Sequence, residues 1–563
     1  MRVSLLLSCL YTAPAFVLAA PFLTQLNSSA WVFGNDLFNV TQGSVYATQV
    51  HYGGHELVGT AAGHYMGYDG ENNFEWTSAA IVAQGDDYID VSFSSSAGDL
   101  HWVIFEGLAG SYQYFVNTAV PDLSILRTLW RLDPILFLNA RTYLRDQALP
   151  DFSLYANATK VQDETWELPD GTFITKYDFS DFVRDRDYYG IYGPGVVGSW
   201  YIFPGGDYHN SNQLSQTLTV HRESSTGDSV QLNVFQDTSH FRVGQTTPQP
   251  VGKIWGPWLW YLNDGSLEDV EAQRQTELQS WPYSWLNDTA YHSRGAVSGT
   301  LELSDGRPAS GAAVYLGDTN TTVRPLIQGS NYYYTTYADG SGRFSFSQVR
   351  SGEYGLYAWS NGDAIGDVYS NLTTSGVVIS DGESSDLGTL SWQVPGLQNI
   401  FQIGDFDKKA LGFKNGGPPY QHGVADESPA NLTYSIGSSE VSDWYYAQSL
   451  VGTWAVEFTL TAADVANHTD SQALLSVSLA GYSQSAALNI SVNDNLLGSL
   501  DKDNLASDPA LYRSGKTSGE WRFFQYEVDA GVLVEGANKV DFTVTRYTQW
   551  RGFMWDSVIL EWL

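Results

Sequence analysis

The stretch Tyr88–Ser94, with the sequence YIDVSFS, alternates apolar and polar side chains as a half-buried β-strand does. Residues 217–221, TLTVH, repeat this pattern, and clusters of Gly, Asn and Asp separate many such runs between residues 21 and 290. Strand-sized runs joined by turn signals favour sheets packed face to face. We therefore predict that residues 21–290 form one large antiparallel β-sandwich.

One helix is expected inside this region, from Ser266 to about Ser280. Ser266 can cap its N-terminus, and Asp269 places a carboxylate in the first turn. The positions expected to share one buried face are Leu267, Val270, Arg274 and Leu278.

Two further β-rich regions follow, so the chain is predicted to be all-β with three domains. Residues 293–391 carry regularly spaced Gly-rich turns, among them GAVSG at 295–299 and DGSGRF at 339–344. They predict a small seven-strand sandwich of the fibronectin III or prealbumin kind, and a spacer role is expected because no catalytic motif is visible there. Residues 392–563 predict a jelly roll, a scaffold that many carbohydrate-binding modules use.

Residues 1–20 predict a secretory signal peptide, with Arg2 before an apolar run and cleavage after Ala19 or Ala20. Cys9 is the only cysteine and would be removed with this segment. The mature protein would then be extracellular, free of disulfides and stabilised by its β-cores. Acceptor sequons for N-glycosylation occur at Asn27, Asn39, Asn157, Asn287, Asn320, Asn371, Asn431, Asn467 and Asn489.

The formal net charge of -34 over 563 residues restricts the partners of this protein. Nucleic acid is excluded because no basic stripe exists to displace its counterions. After the signal segment no apolar run is long enough to cross a bilayer, so we expect no membrane association. We expect a soluble monomer.

The sequence lacks the motifs of several enzyme classes: it has no nucleophile elbow, zincin helix, phosphate loop or dinucleotide-binding fingerprint. A glycoside hydrolase is harder to exclude, because it needs only a pair of carboxylates and the chain has 62 acidic residues. A non-catalytic protein that binds cell-wall polysaccharide is the third class that stays open.

Four basic residues stand out against the acidic background: Arg127, Arg131, Lys176 and His240. Taken alone, each is also typical of a solvated or salt-bridged side chain. Converging in one domain, they would suit a lyase that acts on a uronic acid. An arginine neutralises the C6 carboxylate, and a histidine protonates the departing O4. A lysine takes the C5 proton if burial or positive neighbours lower its pKa from about 10.4 toward about 7 to 8.

The segments that carry these residues resemble the rhamnogalacturonan lyases, polysaccharide lyase family four. The similar segments are LRTLWRL at Leu126–Leu132, TFITKYD at 172–178, the pair Ser239 and His240, HYGGHEL at 51–57, IWGPWLWYLN at Ile254–Asn263, IGDFD at 403–407 and GFKN at 412–415. The order of arginine pair, lysine and histidine is that of the family. The likeness covers essentially the whole mature chain, and the three-domain layout matches.

The resemblance implies a galactose-mutarotase-like N-terminal sandwich in a secreted enzyme that acts on pectin. It implies cleavage of the rhamnose-(1→4)-galacturonate bond of rhamnogalacturonan I by β-elimination, with this polysaccharide as the partner and no cofactor or metal. Lys176 would be the base and His240 the acid, while Arg127 and Arg131 would bind the carboxylate.

One departure from the family concerns the strand before His240. Some members have two tyrosines there, where this chain has Asn233 and Phe235, so no phenolic hydroxyl is expected in that strand. His51 and His64 are weaker candidates for the same cleft.

Other candidates have a structural interpretation that is at least as good. Asp405 and Asp407 could bind calcium, although two carboxylates fall short of a full cage. The residues that could form sugar subsites or simply pack under a loop are Arg184, Tyr188, Tyr189, Tyr192 and Trp200. Those that could stack on sugar rings or lie in the core of the third region are Trp521, Tyr547, Trp550 and Trp555.

Overall fold

The computed structural model describes residues 20–69, 72–122, 125–210, 212–236, 240–242, 247–322, 328–468 and 470–563. Strands dominate its regular structure, which confirms the all-β prediction. The predicted signal peptide lies outside the described residues except for Ala20. Within the described ranges, no helix is long and apolar enough to span a bilayer.

The N-terminal domain is built from three larger sheets and two small ones. Its strands are β1 (Phe22–Asn27), β2 (Ala30–Gly34), β3 (Phe38–Gln42), β4 (Ala47–Tyr52), β5 (His55–Glu56), β6 (Gly63–Tyr68), β7 (Asn72–Asn73), β8 (Ser78–Gln84), β9 (Tyr88–Ser94), β10 (Gly98–Phe105), β11 (Gly110–Asn117), β12 (Leu126–Leu132), β13 (Asn139–Arg141), β14 (Asp146–Ala148), β15 (Thr159–Gln162), β16 (Thr165–Glu167), β17 (Phe173–Thr175), β18 (Ser180–Phe182), β19 (Tyr188–Gly193), β20 (Val197–Ile202), β21 (Gln216–Leu218), β22 (Val220–Arg222), β23 (Ser229–Gln236) and β24 (Ile254–Asn263). A nine-stranded sheet has the order β14-β13-β19-β20-β24-β11-β10-β9-β8, and a five-stranded sheet has the order β22-β23-β12-β6-β7. The other sheets are β1-β2-β3-β4-β5, β15-β16-β17 and β18-β21.

Tryptophans form the centre of the core between the two large sheets. Trp130 of β12 stacks on Trp260 of β24, with ring centroids 4.5 Å apart. Trp102 of β10 meets both rings edge-on, at 6.1 Å and 5.9 Å, and all three side chains are fully buried. An aromatic side chain removes about 150–250 Å² from water when it is buried. This contact therefore fixes β12, the strand that carries Arg127 and Arg131.

The predicted helix is present as α1 (Leu267–Ser280), and a short helix α2 (Thr289–His292) follows it. The amide of Asp269 donates a hydrogen bond of 3.2 Å to Ser266 Oγ, which confirms the predicted cap.

The predicted buried face of α1 is wrong in part. Leu278 is 40 % exposed, whereas Val270 and Glu277 are buried. The Glu277 carboxylate accepts hydrogen bonds from the hydroxyls of Tyr112 and Tyr283, at 3.1 Å and 2.5 Å. A buried carboxylate is tolerated when hydroxyl groups satisfy it, and a search for apolar positions does not detect such a residue.

The middle domain has seven strands in the described residues, as predicted. They are β25 (Arg294–Leu303), β26 (Ala313–Gly317), β27 (Tyr334–Tyr337), β28 (Arg343–Arg350), β29 (Gly352–Trp359), β30 (Asn371–Ile379) and β31 (Ser384–Trp392). They form the sheets β28-β25-β31 and β27-β26-β29-β30, which enclose one core.

The C-terminal domain is a second sandwich of two sheets. Its strands are β32 (Gln398–Ile403), β33 (Leu432–Ser435), β34 (Ala447–Gln448), β35 (Gly452–Leu460), β36 (Ala473–Tyr482), β37 (Ala487–Val492), β38 (Asn495–Leu500), β39 (Arg522–Val528), β40 (Gly536–Arg546) and β41 (Phe553–Trp562), with the helix α3 (Ala462–Asn467) between β35 and β36. The sheet orders are β32-β41-β36-β39, with β34 paired to β41, and β33-β35-β40-β37-β38.

Buried polar contacts dock the C-terminal domain on the N-terminal domain. Gln216 Nε2 donates to the carbonyl oxygen of Ser518, and Gln216 Oε1 accepts from the Tyr420 hydroxyl, both at 2.5 Å. Gln162 Nε2 donates to the carbonyl oxygen of Tyr512 at 2.7 Å. These bonds hold Tyr420 and the segment 512–518 against the N-terminal domain.

A buried carboxylate, Asp207, is among the contacts that tie the middle domain to the N-terminal domain. Asp207 Oδ2 lies 2.5 Å from Arg294 and 2.8 Å from Arg350, and all three side chains are buried. The two arginines keep the pKa of Asp207 low although burial alone would raise it.

We expect Asp207→Asn to destabilise the protein by about 3–5 kcal/mol, because it leaves two arginines buried without their counter-charge. Asp305→Asn removes a carboxylate from the exposed pair with Arg307 and should cost about 0–1 kcal/mol. Urea unfolding of both variants checks this, and equal midpoints would contradict it.

Candidate active site

Lys176 begins a 3-10 turn, Lys176–Phe179, directly after β17. Its side chain is 13 % exposed, and its Nζ lies 3.3 Å from Asp163 Oδ2. The pKa of Lys176 is below its ordinary value because burial disfavours the charge and Arg513 adds repulsion, which together outweigh the attraction of Asp163 and Glu164. The amine thus has the electrostatic setting that a lysine base requires.

His240 is nearly buried, at 8 % exposure, and its ring centroid lies 6.0 Å from that of Tyr177. Burial keeps the pKa of His240 well below its ordinary value, and the positive charges of Lys176, Arg513 and Arg127 lower it further. His240 and Lys176 therefore share one electrostatic environment.

Arg127 and Arg131 lie on the same side of β12, because side chains alternate along a strand. Trp130 points into the main core, whereas Leu129 joins a smaller apolar cluster on the outer face of the sheet. The two arginines flank this cluster and are half-buried. Burial lowers the pKa of Arg127, as does the neighbouring charge of Arg131.

Arg131 is held by a network that links it to a second histidine. Its Nε donates to the Tyr65 hydroxyl at 3.2 Å, and its NH1 lies 3.1 Å from Glu223 Oε2 and 3.5 Å from Asp228 Oδ2. Glu223 Oε2 is also 3.9 Å from His221 Nε2. The neighbouring His221 and the charge of Arg131 lower the pKa of Glu223 to about 2 although burial opposes them.

Arg513 is the residue of the site that comes from another domain. Its guanidinium lies 3.9 Å from Asp163 Oδ2 and 5.2 Å from the centroid of Tyr177. Asp163 also accepts a hydrogen bond of 2.6 Å from the Tyr177 hydroxyl. The C-terminal domain thus adds a cation beside Lys176.

The structure brings Lys176, His240 and Arg127 into one cluster, with Arg131 linked to it through the charges around His221. Sequence reasoning missed Asp163, Tyr177, His221, Glu223 and Arg513. Tyr177 was visible as the neighbour of Lys176, and His221 only as the last residue of the predicted strand TLTVH at 217–221. Arg513 gave no signal, because only the docking of two domains brings it to the site.

His64 does not line the cleft, so that prediction is wrong. Its ring is fully buried between Trp102 and Trp130, and its Nε2 lies 2.5 Å from Thr128 Oγ1. Burial lowers the pKa of His64 to about 3, so it is a neutral core residue. His51 is exposed on β4, in a different sheet from β12.

Asn233 and Phe235 face the interior of the sandwich. Phe235 packs on Trp255 and Trp258, and Asn233 pairs with Thr128 across the strands. Since they lie on the opposite face of β23 from the arginine side of the sheet, tyrosines at these positions would not reach the site. Tyr177 supplies a phenol beside His240 instead.

Most of the subsite candidates that follow Lys176 in the sequence are buried in the core. Tyr188, Tyr189, Tyr192 and Trp200 are all buried, and the hydroxyl of Tyr189 donates to the carbonyl oxygen of Leu232. These contacts favour the packing interpretation over sugar subsites. Arg184 is partly exposed and pairs with Asp185.

The two carboxylates proposed for calcium serve contacts within the fold. Asp405 Oδ2 accepts from the amide of Asp363 in the middle domain at 2.8 Å. Asp407 lies against Asp556, and burial together with this like charge raises the pKa of Asp407. Among the described residues, no group of three or more potential metal ligands occurs.

The middle and C-terminal domains carry the sequence signature of a polysaccharide lyase. The family model for polysaccharide lyase family 4, domain II, matches residues 294–387, and the model for domain III matches residues 399–560. A protein named rhamnogalacturonate lyase from Dickeya dadantii is 31 % identical over 568 residues, which cover 95 % of this chain and 94 % of that protein. The chain therefore belongs to polysaccharide lyase family 4.

More distant relatives come from fungi. Rhamnogalacturonate lyase B of Emericella nidulans is 25 % identical over 68 % of this chain and 66 % of that protein, so the chain spans about two thirds of its length. A solved exo-beta-1,3-galactanase from Phanerochaete chrysosporium aligns with 97 % of this chain and 96 % of its own. At 10 % identity and a TM-score of 0.18, this likeness supports no inference.

We expect Asp163→Asn to lower the pKa of Lys176 further, because the carboxylate favours the charged amine, and Arg513→Gln to raise it by removing repulsion. A ¹³C NMR titration of the lysine side chains, with Lys176→Arg to assign the signal, measures both shifts. The exposed Lys502 is the internal control. Shifts of the same sign would refute this description of the site.

Proposed function

We propose that this polysaccharide lyase cleaves the rhamnose-galacturonate bond of rhamnogalacturonan I by β-elimination and leaves a 4,5-unsaturated galacturonate. The observation that carries the proposal is the largely buried Lys176 amine, which lies 3.3 Å from Asp163 Oδ2, where Arg513 also reaches to 3.9 Å. The lowered pKa of this amine and the nearby His240 agree with it. The relationship to a rhamnogalacturonate lyase over nearly the whole chain supports the choice of substrate.

Carboxylate binding comes first in this mechanism. Arg127 and Arg131 lie on one face of β12 and bind the C6 carboxylate of the galacturonate. Their charge stabilises the negative charge that spreads onto this group when the C5 proton leaves. The links of Arg131 to Tyr65 and Glu223 hold its guanidinium in place before substrate arrives.

Proton transfer follows. Lys176 takes the C5 proton, the electron pair forms the C4–C5 double bond, and the C4–O4 bond breaks. The departing O4 takes a proton from His240. Burial and nearby cations keep this histidine neutral in the free enzyme. The bound carboxylate raises its pKa, so that it takes up a proton from solvent and then transfers a proton to O4.

We also propose that the enzyme works outside the cell as an N-glycosylated monomer. The predicted signal peptide supports secretion, and exposure of the acceptor side chains supports glycosylation. The exposed acceptors are Asn27, Asn157, Asn287, Asn320, Asn371, Asn431 and Asn467, and the half-buried ones are Asn39 and Asn489.

Absorbance of the unsaturated uronate tests the reaction when the enzyme is mixed with deacetylated rhamnogalacturonan I. We expect Lys176→Ala and His240→Ala each to lower kcat by about 10²–10⁴-fold while oligosaccharide binding persists, because both groups act in proton transfer. Cleavage without absorbance would identify a glycoside hydrolase, and binding without cleavage a non-catalytic protein. Near-normal turnover of Lys176→Ala would rule out its role as the base.

Arg131→Ala should raise KM about tenfold or more, since it removes a charge that recognises the uronate. Arg274→Ala is the matched control, because Arg274 pairs with Glu271 on the surface helix α1. Steady-state kinetics on the same polymer measures both, and an unchanged KM for Arg131→Ala would count against its role.

A further inference from the structure

Tyr46 is an exposed aromatic residue near the arginine pair, and the proposed mechanism gives it no role. It is 39 % exposed. Its ring lies edge-on to that of Tyr65, with the centroids 5.2 Å apart. Since the Tyr65 hydroxyl accepts a hydrogen bond from Arg131, only one side chain separates Tyr46 from the arginine side of β12.

A glycine on β6 brings Tyr46 to this position. Gly63 has φ of 75°, a conformation that favours glycine, and a Cβ atom there would overlap the carbonyl oxygen of Ala47, the first residue of β4. The strands β4 and β6 can therefore approach each other closely at this point. Because Tyr46 directly precedes Ala47, the close approach places its ring beside Tyr65 of β6.

At least one face of the Tyr46 ring is not covered by Tyr65. The two rings are inclined at 71°, so the edge of one points at the other, and neither arrangement lets Tyr65 cover both faces of Tyr46. Asn73 Nδ2 donates a hydrogen bond of 3.3 Å to the Tyr46 hydroxyl, which holds the ring at its polar end. An exposed ring held in this way offers a flat apolar surface to the apolar face of a sugar.

Tyr46 and Lys176 lie on opposite sides of the arginine pair. In the five-stranded sheet, β12 lies between β23 and β6. On the first side β23 leads to β22, and Thr219, directly before β22, donates through Oγ1 to the carbonyl oxygen of Phe179 in the turn of Lys176, at 2.6 Å. Tyr46 lies beside β6, on the second side. A substrate whose carboxylate binds the arginines therefore has Lys176 on one side of that carboxylate and Tyr46 on the other.

The carboxylates that pair with Arg131 come from the side of the sheet away from Tyr46. Glu223 directly follows β22, and Asp228 directly precedes β23, so both approach Arg131 from the side opposite to β6. The side chains that contact Tyr46, by contrast, are the uncharged Tyr65 and Asn73. The position at Tyr46 therefore suits a neutral sugar, whereas the arginines suit a uronate.

We propose that Tyr46 forms a subsite that stacks on a neutral deoxysugar ring of the polysaccharide, next to the galacturonate bound by Arg127 and Arg131 and on the side away from Lys176. The proposal rests on the proposed function, since that function supplies a substrate of alternating rhamnose and galacturonate. In such a polymer the neighbour of each galacturonate is a rhamnose, whose methyl group adds apolar surface. The subsite thus helps to place the galacturonate, and not the rhamnose, at the arginines.

Steady-state kinetics on rhamnogalacturonan I and calorimetry with its oligosaccharides test the proposal. We expect Tyr46→Ala to raise KM about tenfold and to leave kcat within about twofold, because the ring binds a sugar away from the bonds that change. In the Lys176→Ala background, where the substrate is not consumed, calorimetry should show the same loss of affinity, about tenfold. Tyr46→Phe keeps the ring and should stay close to wild type in both measurements.

Tyr547→Ala is the matched control. Tyr547 of the C-terminal domain is also 39 % exposed, and its hydroxyl is also hydrogen-bonded, to Asp426 at 2.8 Å. Its loss should change neither KM nor affinity.

An unchanged affinity in Tyr46→Ala, a fall in kcat without a change in KM, or an equal loss of affinity in Tyr46→Phe would overturn the proposal while wild-type lyase activity stands. If the unfolding midpoint shows that Tyr46→Ala does not fold, Tyr46→Leu takes its place with the same expected result. Failure of the proposed function differs from these outcomes, because the wild-type enzyme would then release no unsaturated product.

Discussion

The Asp163 carboxylate is the point on which the site depends. One oxygen, Oδ2, lies 3.3 Å from Lys176 Nζ, 2.6 Å from the Tyr177 hydroxyl and 3.9 Å from the Arg513 guanidinium. One carboxylate thus lies near two cations, Lys176 and Arg513, and its single negative charge cannot neutralise both of them. Burial lowers the pKa of Lys176 and of His240, and the charge of Arg513 lowers both further. In a chain of net charge -34, this cluster of cations suits the uronate of the proposed substrate.

Domain docking sets the geometry of this cluster. Arg513 reaches Asp163 because Gln216 and Gln162 bind the backbone at Ser518 and Tyr512. The middle domain contacts both of its neighbours: its Arg294 pairs with Asp207 of the N-terminal domain, and its Asp363 amide donates to Asp405 of the C-terminal domain. It therefore does more than separate its neighbours, since it makes polar contacts with both of them.

The sequence predicted those parts of the fold that depend on residues close together in the chain. Alternation predicted the strands, and the Ser266 cap predicted the start of α1. Sequence could not show that Glu277 would be buried by two tyrosines, or that His64 would sit between tryptophans, because both depend on strands far apart in the chain. Of the aromatic candidates in the third domain, Trp555 lies in the core and Trp550 is buried against Phe173 of the N-terminal domain, a contact that only the packing of two domains creates.

The central claim is that a cluster of cations makes a ring proton removable, so that no water enters the bond that breaks. Cleavage of rhamnogalacturonan I in H₂¹⁸O, followed by mass spectrometry of the products, tests it directly. The account predicts that neither new chain end gains ¹⁸O during cleavage and that the masses of the two products sum to that of the substrate. One ¹⁸O per cleaved bond, at a rate matching bond cleavage, would contradict it.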